Sequence, residues 1–435
     1  YEITLRDDAM WSNGSQVDAD DVITTYALGR LSGWSQFNFI DTIEKVGDFT
    51  VRFNFIDGEP SLQAERLLLK EYIVADDTYG ELAASALELF ETDADSESDA
   101  WTSLLTEVQE FRPEEYIASG PYTYSLDDVG VYASNEFDGA RLNGFEKIND
   151  STVAVIINPE NTPINNSAYY AFKTWSKINK SFYFTFKYPK GYKHRYIPKL
   201  RKNNLWSVLD DENIFKSNSI VTVKLNLSNT PLTVAAQEIQ SSTDVKNWYS
   251  NLINNKDYVT QKVFGKSGLG KDLNVLSLSI GDAKDKDVIV LLTRQHPPEV
   301  TGYYAFQHFL ETLLNDSKLS KAFLKKYHVL VFPLMNPDGV DLGHWRHNKN
   351  GVDTNRDWSV YNQPEIKNTV SYITKILKKN KSKLILGVDF HSTYKDVFYT
   401  NKIREGTSLP NFIDDWFAAL EANISNYKVN EASGN

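Results

Sequence analysis

The chain has 435 residues, 41% hydrophobic and 24% charged, with 9 Trp, 24 Tyr and 23 Phe to build cores. That composition excludes disorder over most of the length and suits two to four domains of ~100–200 residues each, while the absence of cysteine excludes disulfides, thiolate zinc sites and cysteine nucleophiles. The formal charge of −12 averages two opposites: residues 1–130 hold 7 Lys and Arg against 28 Asp and Glu, net −21, and the remainder holds 39 against 30, net +9.

In the acidic part, Tyr1–Leu5 alternates like a strand, and Asp18 is placed to cap a helix opening at Ala19-Asp20-Asp21-Val22. Thr50–Phe55 alternates with period two and predicts a strand. Leu82 to Glu110 reads as helix, interrupted by a solvated acidic run over Glu91–Asp99, and Ser119-Gly120-Pro121-Tyr122 is a turn into a short strand. From about 130 the sequence turns rich in Lys, Asn and Tyr. Thr152–Ile157, Ser181–Tyr188 and Ile220–Leu227 are short β-like runs separated by Pro, Gly and Asn, which predicts an antiparallel sandwich. From about 240, near-continuous apolar runs (Asp287–Leu292, His328–Pro333, Lys383–Phe390) alternate with helical stretches (Thr301–Leu314, Glu365–Lys378), the pattern of an α/β domain with a largely parallel sheet.

The residues that suggest chemistry follow those buried strands. His296 and Glu299 stand three apart after the strand ending at Leu292, and His391 closes the strand over Val388-Asp389-Phe390. Ligands in open α/β sheets sit at the carboxyl ends of strands, and two His with one Glu form a catalytic zinc set with a position left for water. Asn336-Pro337-Asp338-Gly339 follows a third strand, with Arg346, Asp353, Asn355 and Arg356 soon after. An arginine suits an oxyanion or a substrate carboxylate, and the same stretch also reads as a turn and a solvated basic loop carrying His344, His347 and Lys349.

Together, His296-Pro297-Pro298-Glu299, the Asn336–Gly339 stretch, Gly343-His344-Trp345-Arg346, Gly351 to Trp358 and Asp389-Phe390-His391-Ser392 resemble the zinc metallocarboxypeptidase family, and most of all its cytosolic-carboxypeptidase-like branch, in which a small β-sandwich precedes the catalytic domain. The likeness runs from about 133 to 435, and Asn161–Asn165 with Tyr169–Phe172 resemble the sandwich. The resemblance implies one zinc ion held by His296, Glu299 and His391, with Asp353 orienting the first histidine. Arg346 would stabilise the oxyanion, and Asn355 with Arg356 would hold the substrate's C-terminal carboxylate. His308, His328, His344 and His347 match no ligand position. Pro298 stands where pancreatic-type members carry an arginine. The family's general-base glutamate is expected on a strand well past His391; only 44 residues follow it, and Glu431 lacks the expected setting, so the base is expected to lie beyond the chain's end.

Residues 1–126 resemble something else. Tyr1 to Gly14, the Val17–Val22 stretch and Gly120-Pro121-Tyr122 are similar to peptide-type solute-binding proteins of ABC transporters, of which only part of one lobe is represented. Trp11 and Trp34 read as core residues of that part. The expected architecture is therefore multidomain: a partial α+β lobe over 1–130, an antiparallel β-sandwich over 131–237, and over 238–435 a carboxypeptidase-like α/β domain, its sheet mixed but largely parallel, C-terminally truncated. The seam near 130 is expected to join two unrelated incomplete genes rather than to be a natural fusion.

Two functions are carried forward. The first is a zinc carboxypeptidase-like hydrolase acting on peptide or protein C-termini, impaired if its base is missing. The alternative is a solute-binding fragment beside a metal-binding domain without turnover. No nucleic-acid partner and no membrane span are expected, since the longest apolar run of the basic half, Val288 to Leu292, falls far short of the ~18 residues a spanning helix needs. With neither an initiator methionine nor a signal-peptide pattern, localisation stays open between cytoplasmic and periplasmic or secreted.

Overall fold

Asp18 starts the first helix, Ala19–Leu31, as its spacing predicts: its side chain accepts from the backbone of Asp20 and Asp21, while Asp21 returns a bond to the Asp18 amide. Buried Asp21 also accepts from Trp11 Nε1 at 2.8 Å and from the Asp76 amide at 2.7 Å, so one carboxylate ties three segments. In the computed structural model the described residues are all except 6–8, 10, 12–14, 57–67, 69–70, 72, 93, 112, 114–122, 161–168, 218–219 and 434–435. The turn expected at 119–122, the Asn161–Asn165 stretch and much of the first motif lie outside them. Strands β1 (Glu2–Thr4), β2 (Ile40–Gly47) and β3 (Thr50–Phe55) form an antiparallel sheet in the order β1-β3-β2. Helices Asp76–Glu91 and Asp99–Glu110 flank the acidic run, and Ser98 caps the second. Trp11 is buried; Trp34 is half-buried, edge-on to Tyr26 at 5.9 Å.

The next unit is a sandwich. One sheet contains β4 (Thr123–Leu126), β5 (Val131–Ser134), β8 (Ala171–Trp175), β10 (Lys199–Lys202), β11 (Leu205–Val208) and β14 (Leu232–Ala235). The other contains β6 (Gly144–Asn149), β7 (Thr152–Ile156), β9 (Lys180–Lys187), β12 (Ile214–Ser217) and β13 (Ile220–Leu227). Alternation places Phe182, Phe184 and Phe186 of β9 inward against Phe145, Tyr170 and Phe172. Full burial of each such side chain is worth roughly 1.5–3 kcal/mol, which makes this the energetic centre of the unit. The expectation of an antiparallel sandwich is corrected at one seam: β7 and β9 pair in parallel. β4 lies before residue 130 yet pairs with β5, so the expected seam falls within a single sheet.

The last unit holds a five-stranded sheet in the order β15-β16-β18-β17-β19. β17 (Val288–Thr293), β18 (His328–Phe332) and β19 (Leu384–Phe390) are parallel, and the first two are buried throughout, as their unbroken apolar runs dictate. β15 (Val259–Lys266) and β16 (Asp272–Leu278) add an antiparallel hairpin, so the sheet is mixed, with parallel and antiparallel pairings in equal number rather than largely parallel. β15 escaped the sequence reading because its side chains are mostly exposed and carry no apolar period. Helices Ser242–Leu252, Val300–Leu313 and Lys318–Lys326 contribute to one core cluster, and Pro364–Asn380 packs on the other. A short parallel pair, β20 (Phe398–Thr400) with β21 (Glu431–Ser433), lies beyond.

Buried His328 and half-buried His194 make stability pH-dependent. Burial, aided by the Lys286 charge, pushes His328 down to about 4, and burial does the same to His194. A folded-state value below the unfolded one means the unfolded chain takes up protons first as pH falls. The penalty from these two groups is therefore absent above about pH 6.5 and grows progressively toward pH 4, by at most about 1.4 kcal/mol per pH unit for each group. Chemical denaturation of wild type and His328→Gln at pH 7 and pH 5 should show a shallower pH slope in the variant; equal slopes would contradict this.

Candidate metal centre

β17 ends in a kink that aims the following residues. Arg294 takes a left-handed backbone (φ 58°), a strained conformation for a non-glycine residue, and its buried guanidinium donates to the carbonyls of Pro297 (2.7 Å) and Gln240 (3.1 Å). The Gln295 carbonyl accepts from Asn336 Nδ2 at 3.1 Å and Thr354 Oγ1 at 3.2 Å, so the loops after β17 and β18 are stitched together. His296 is thereby presented at the sheet's carboxyl edge, and Glu299 stands just before helix Val300–Leu313, whose N-terminal dipole favours a carboxylate. His391 directly follows β19.

These three residues converge. One donor atom from each of His296, Glu299 and His391 lies within 4.8 Å of the other two, and they are the only such His, Cys, Asp or Glu group among the described residues. His296 Nδ1 is 2.9 Å from Glu299 Oε1, and His391 Nδ1 is 2.7 Å from Glu299 Oε2. The far nitrogens are held from behind. His296 Nε2 meets Asp353 Oδ1 at 3.0 Å, and His391 Nε2 meets Asp389 Oδ2 at 2.8 Å. Carboxylates on both Nε2 atoms fix the rings so that both Nδ1 atoms face inward.

The electrostatics follow from these contacts. Burial would lift the Glu299 carboxyl, but bonds and charges from His296 and His391 bring it down to about 2. Burial would lower the imidazoles, yet Asp353 and Glu299 hold His296 above its ordinary value, and Asp389 with Glu299 push His391 up to about 10. Asp353 is held well below the usual carboxylate range against its burial by His296 and Arg346, whose Nε donates to Asp353 Oδ2 at 2.7 Å. Two imidazole nitrogens and a carboxylate facing one point, with carboxylates behind the rings, are chemically a zinc set, and a dication would replace protons between them.

The structure also places the other predicted residues. Asn355 and Arg356 lie in the 3₁₀ turn Thr354–Ser359; the Asn355 amide donates to Asp353 at 2.9 Å, and the Arg356 side chain is exposed. Glu431 is held on β21 by Arg404 and Thr400. His308 is exposed, His328 is buried against Ser277, and His344 Nδ1 donates to the His347 carbonyl at 3.0 Å. Sequence reasoning gave Asp389 no role, although it stands two residues before His391 at the end of β19. It also missed Gln295, which bonds Asp389 and accepts from Trp358 Nε1, and Ser392, whose Oγ accepts from the Gly302 amide at 2.8 Å.

The carboxyl ends of the parallel strands of this α/β unit thus carry a His-Glu-His group suited to one divalent ion. Residues 245–411 match the zinc carboxypeptidase family. Residues 1–136 match a different family, the bacterial extracellular solute-binding proteins, family 5 middle. The chain is similar to cytosolic carboxypeptidase 6 of Mus musculus, 27% identical over 160 residues, 35% of this chain and 30% of that protein. It is also similar to cytosolic carboxypeptidase 2 of Danio rerio, 33% identical over 106 residues, 23% of this chain and 15% of that protein. The chain thus spans less than a third of the length of either relative. The metallo-carboxypeptidase of Burkholderia cenocepacia shares the fold, with a TM-score of 0.56 at 16% identity over 70% of this chain and 83% of that one. No helix among the described residues is long and apolar enough to cross a membrane.

Proposed function

We propose that residues 238–435 form a zinc-dependent carboxypeptidase unit that releases C-terminal residues from peptides or proteins, preceded by a sandwich domain that includes β4 and, before β4, by part of a solute-binding-protein lobe. The supporting observation is the convergence of His296 Nδ1, a Glu299 oxygen and His391 Nδ1 on one point. These three would hold the single zinc ion, which when bound supplies a Lewis acid for the scissile carbonyl and a water of pKa ~7.

The protein's own groups do the positioning. Asp353 and Asp389 hold the two imidazoles with Nδ1 inward. Arg346, anchored through Nε to Asp353, carries a permanent positive charge that would stabilise the negative charge developing on the substrate oxygen. Asn355 and the solvent-facing Arg356 would take the substrate's terminal carboxylate, a pairing whose forked donors select a free C-terminus. Glu299 serves as a ligand, so the proton of the attacking water needs another base, and Glu431 is already engaged by Arg404. General-base help is worth ~10²–10⁴-fold; without it turnover would be weak while metal binding is spared.

Zinc analysis combined with hydrolysis of a blocked dipeptide tests the proposal. One zinc per chain with chelator-sensitive hydrolysis supports it. Zinc without hydrolysis favours the second reading, a metal-binding domain beside a solute-binding fragment, and absence of zinc overturns both.

A further inference from the structure

The sandwich reaches into the candidate site through one buried carboxylate. Glu160 lies four residues past the end of β7, and its side chain is only 1% exposed. Its Oε1 accepts from the backbone amides of Arg346 at 2.8 Å and His347 at 3.2 Å. The neighbouring Trp345 is part of the sandwich core, and its Nε1 donates to Tyr196 Oη, another sandwich group, at 2.7 Å. Residues 345–347 are thus gripped by the sandwich, although they belong to the loop after β18. From Arg346 the connection continues through Asp353 to His296.

A carboxylate so buried is costly unless it is hydrogen-bonded, and here two amides of one short segment both donate to its Oε1. Burial opposes ionisation of Glu160, yet His344, Arg141 and the amides hold it below its ordinary value. The Arg141 guanidinium, which donates to the Asn158 carbonyl at 3.1 Å, supplies a permanent positive charge from the same unit.

We propose that Glu160 is a positioning residue for Arg346, and that the sandwich is therefore an integral part of the catalytic site rather than a neighbouring domain. Its catalytic consequence rests on the role of Arg346 given above, whereas the positioning itself does not. Fixing the main chain of Arg346 on a charged anchor limits where its guanidinium can sit, while Asp353 limits how it turns.

The test is amide hydrogen exchange on the zinc-free full chain. Glu160→Ala should raise exchange at the Arg346 and His347 amides at least about tenfold relative to the other amides of the sheet, since a charge-assisted bond to each is removed. Glu160→Gln, which keeps the shape and one acceptor oxygen, should restore most of that protection, and it carries the test alone through a smaller local rise if the alanine variant does not fold. Exchange at 346 and 347 unchanged in a folded variant, or raised equally across the sandwich, overturns the proposal. With zinc loaded, the alanine variant should lose kcat while KM and zinc affinity stay near wild type; a matching fall in zinc affinity would instead make Glu160 a general support of the fold. Because the exchange readout uses no zinc and no turnover, failure of the peptidase reading stays distinguishable from failure of this one.

Discussion

Replacing His391 by Ala should reduce the zinc content of the chain from one ion to almost none after dialysis against a weak chelator. The proposed site has three protein donors, and His391 would supply one of them; it faces Glu299 at 2.7 Å. Its removal leaves a carboxylate and one imidazole, too few to hold the ion in a site with an open position. Asp353→Asn is the graded comparison. It keeps His296 in place but weakens the anchor on Nε2, and changes of that kind cost about 10–100-fold in metal affinity. Competition with a zinc-binding dye should therefore rank wild type above Asp353→Asn and both above His391→Ala. An alanine variant that holds zinc like wild type would remove His391 from the ligand set.

Gly302→Ala should be the second severe substitution, although nothing in the linear motif marks that residue. It sits in the first turn of helix Val300–Leu313, where alanine would ordinarily gain about 0.5–1 kcal/mol over glycine. Here an added Cβ would lie 2.2 Å from the His391 carbonyl oxygen and 2.7 Å from its carbonyl carbon. Those are backbone atoms, so the helix and the end of β19 must part, at a cost of about 1–3 kcal/mol or more. The same movement stretches the bond from the Gly302 amide to Ser392 Oγ and separates Glu299 from His391. Both thermal stability and zinc affinity should fall. Gly387→Ala is the control on the same strand, since nothing lies within 4 Å of the place its added methyl would take, and it should leave both properties near wild type. A Gly302→Ala chain as stable and as zinc-avid as wild type would contradict the close packing described above.

How much of this was legible in the sequence depended on how local the cause was. The Asp18 cap, the Thr50–Phe55 strand and the buried runs of β17 and β18 follow from chemistry within a few residues, and each stands where the pattern put it. The convergence of His296, Glu299 and His391 was legible because strand ends in a parallel sheet meet at one edge. The β15–β16 hairpin was not, because β15 faces solvent and shows no apolar alternation. The parallel pairing of β7 with β9 was hidden for another reason: alternation tells which face is buried but is silent about strand direction. Gly302 and Glu160 were invisible because their partners lie 89 and 186 residues away along the chain.

The charge division between the first 130 residues and the rest coincides broadly with the change of family, since the solute-binding match ends at 136 and the carboxypeptidase match begins at 245. Neither candidate zinc donors nor the residues behind them come from the acidic part.

The most direct measurement is a crystal of the full chain grown with zinc, with diffraction collected on both sides of the zinc absorption edge. The expected result is one anomalous peak ~2.0–2.2 Å from His296 Nδ1, a Glu299 oxygen and His391 Nδ1, with Asp353 and Asp389 still on the two Nε2 atoms. A zinc-containing crystal whose anomalous peaks all lie elsewhere, or whose His296 and His391 face apart, would contradict it.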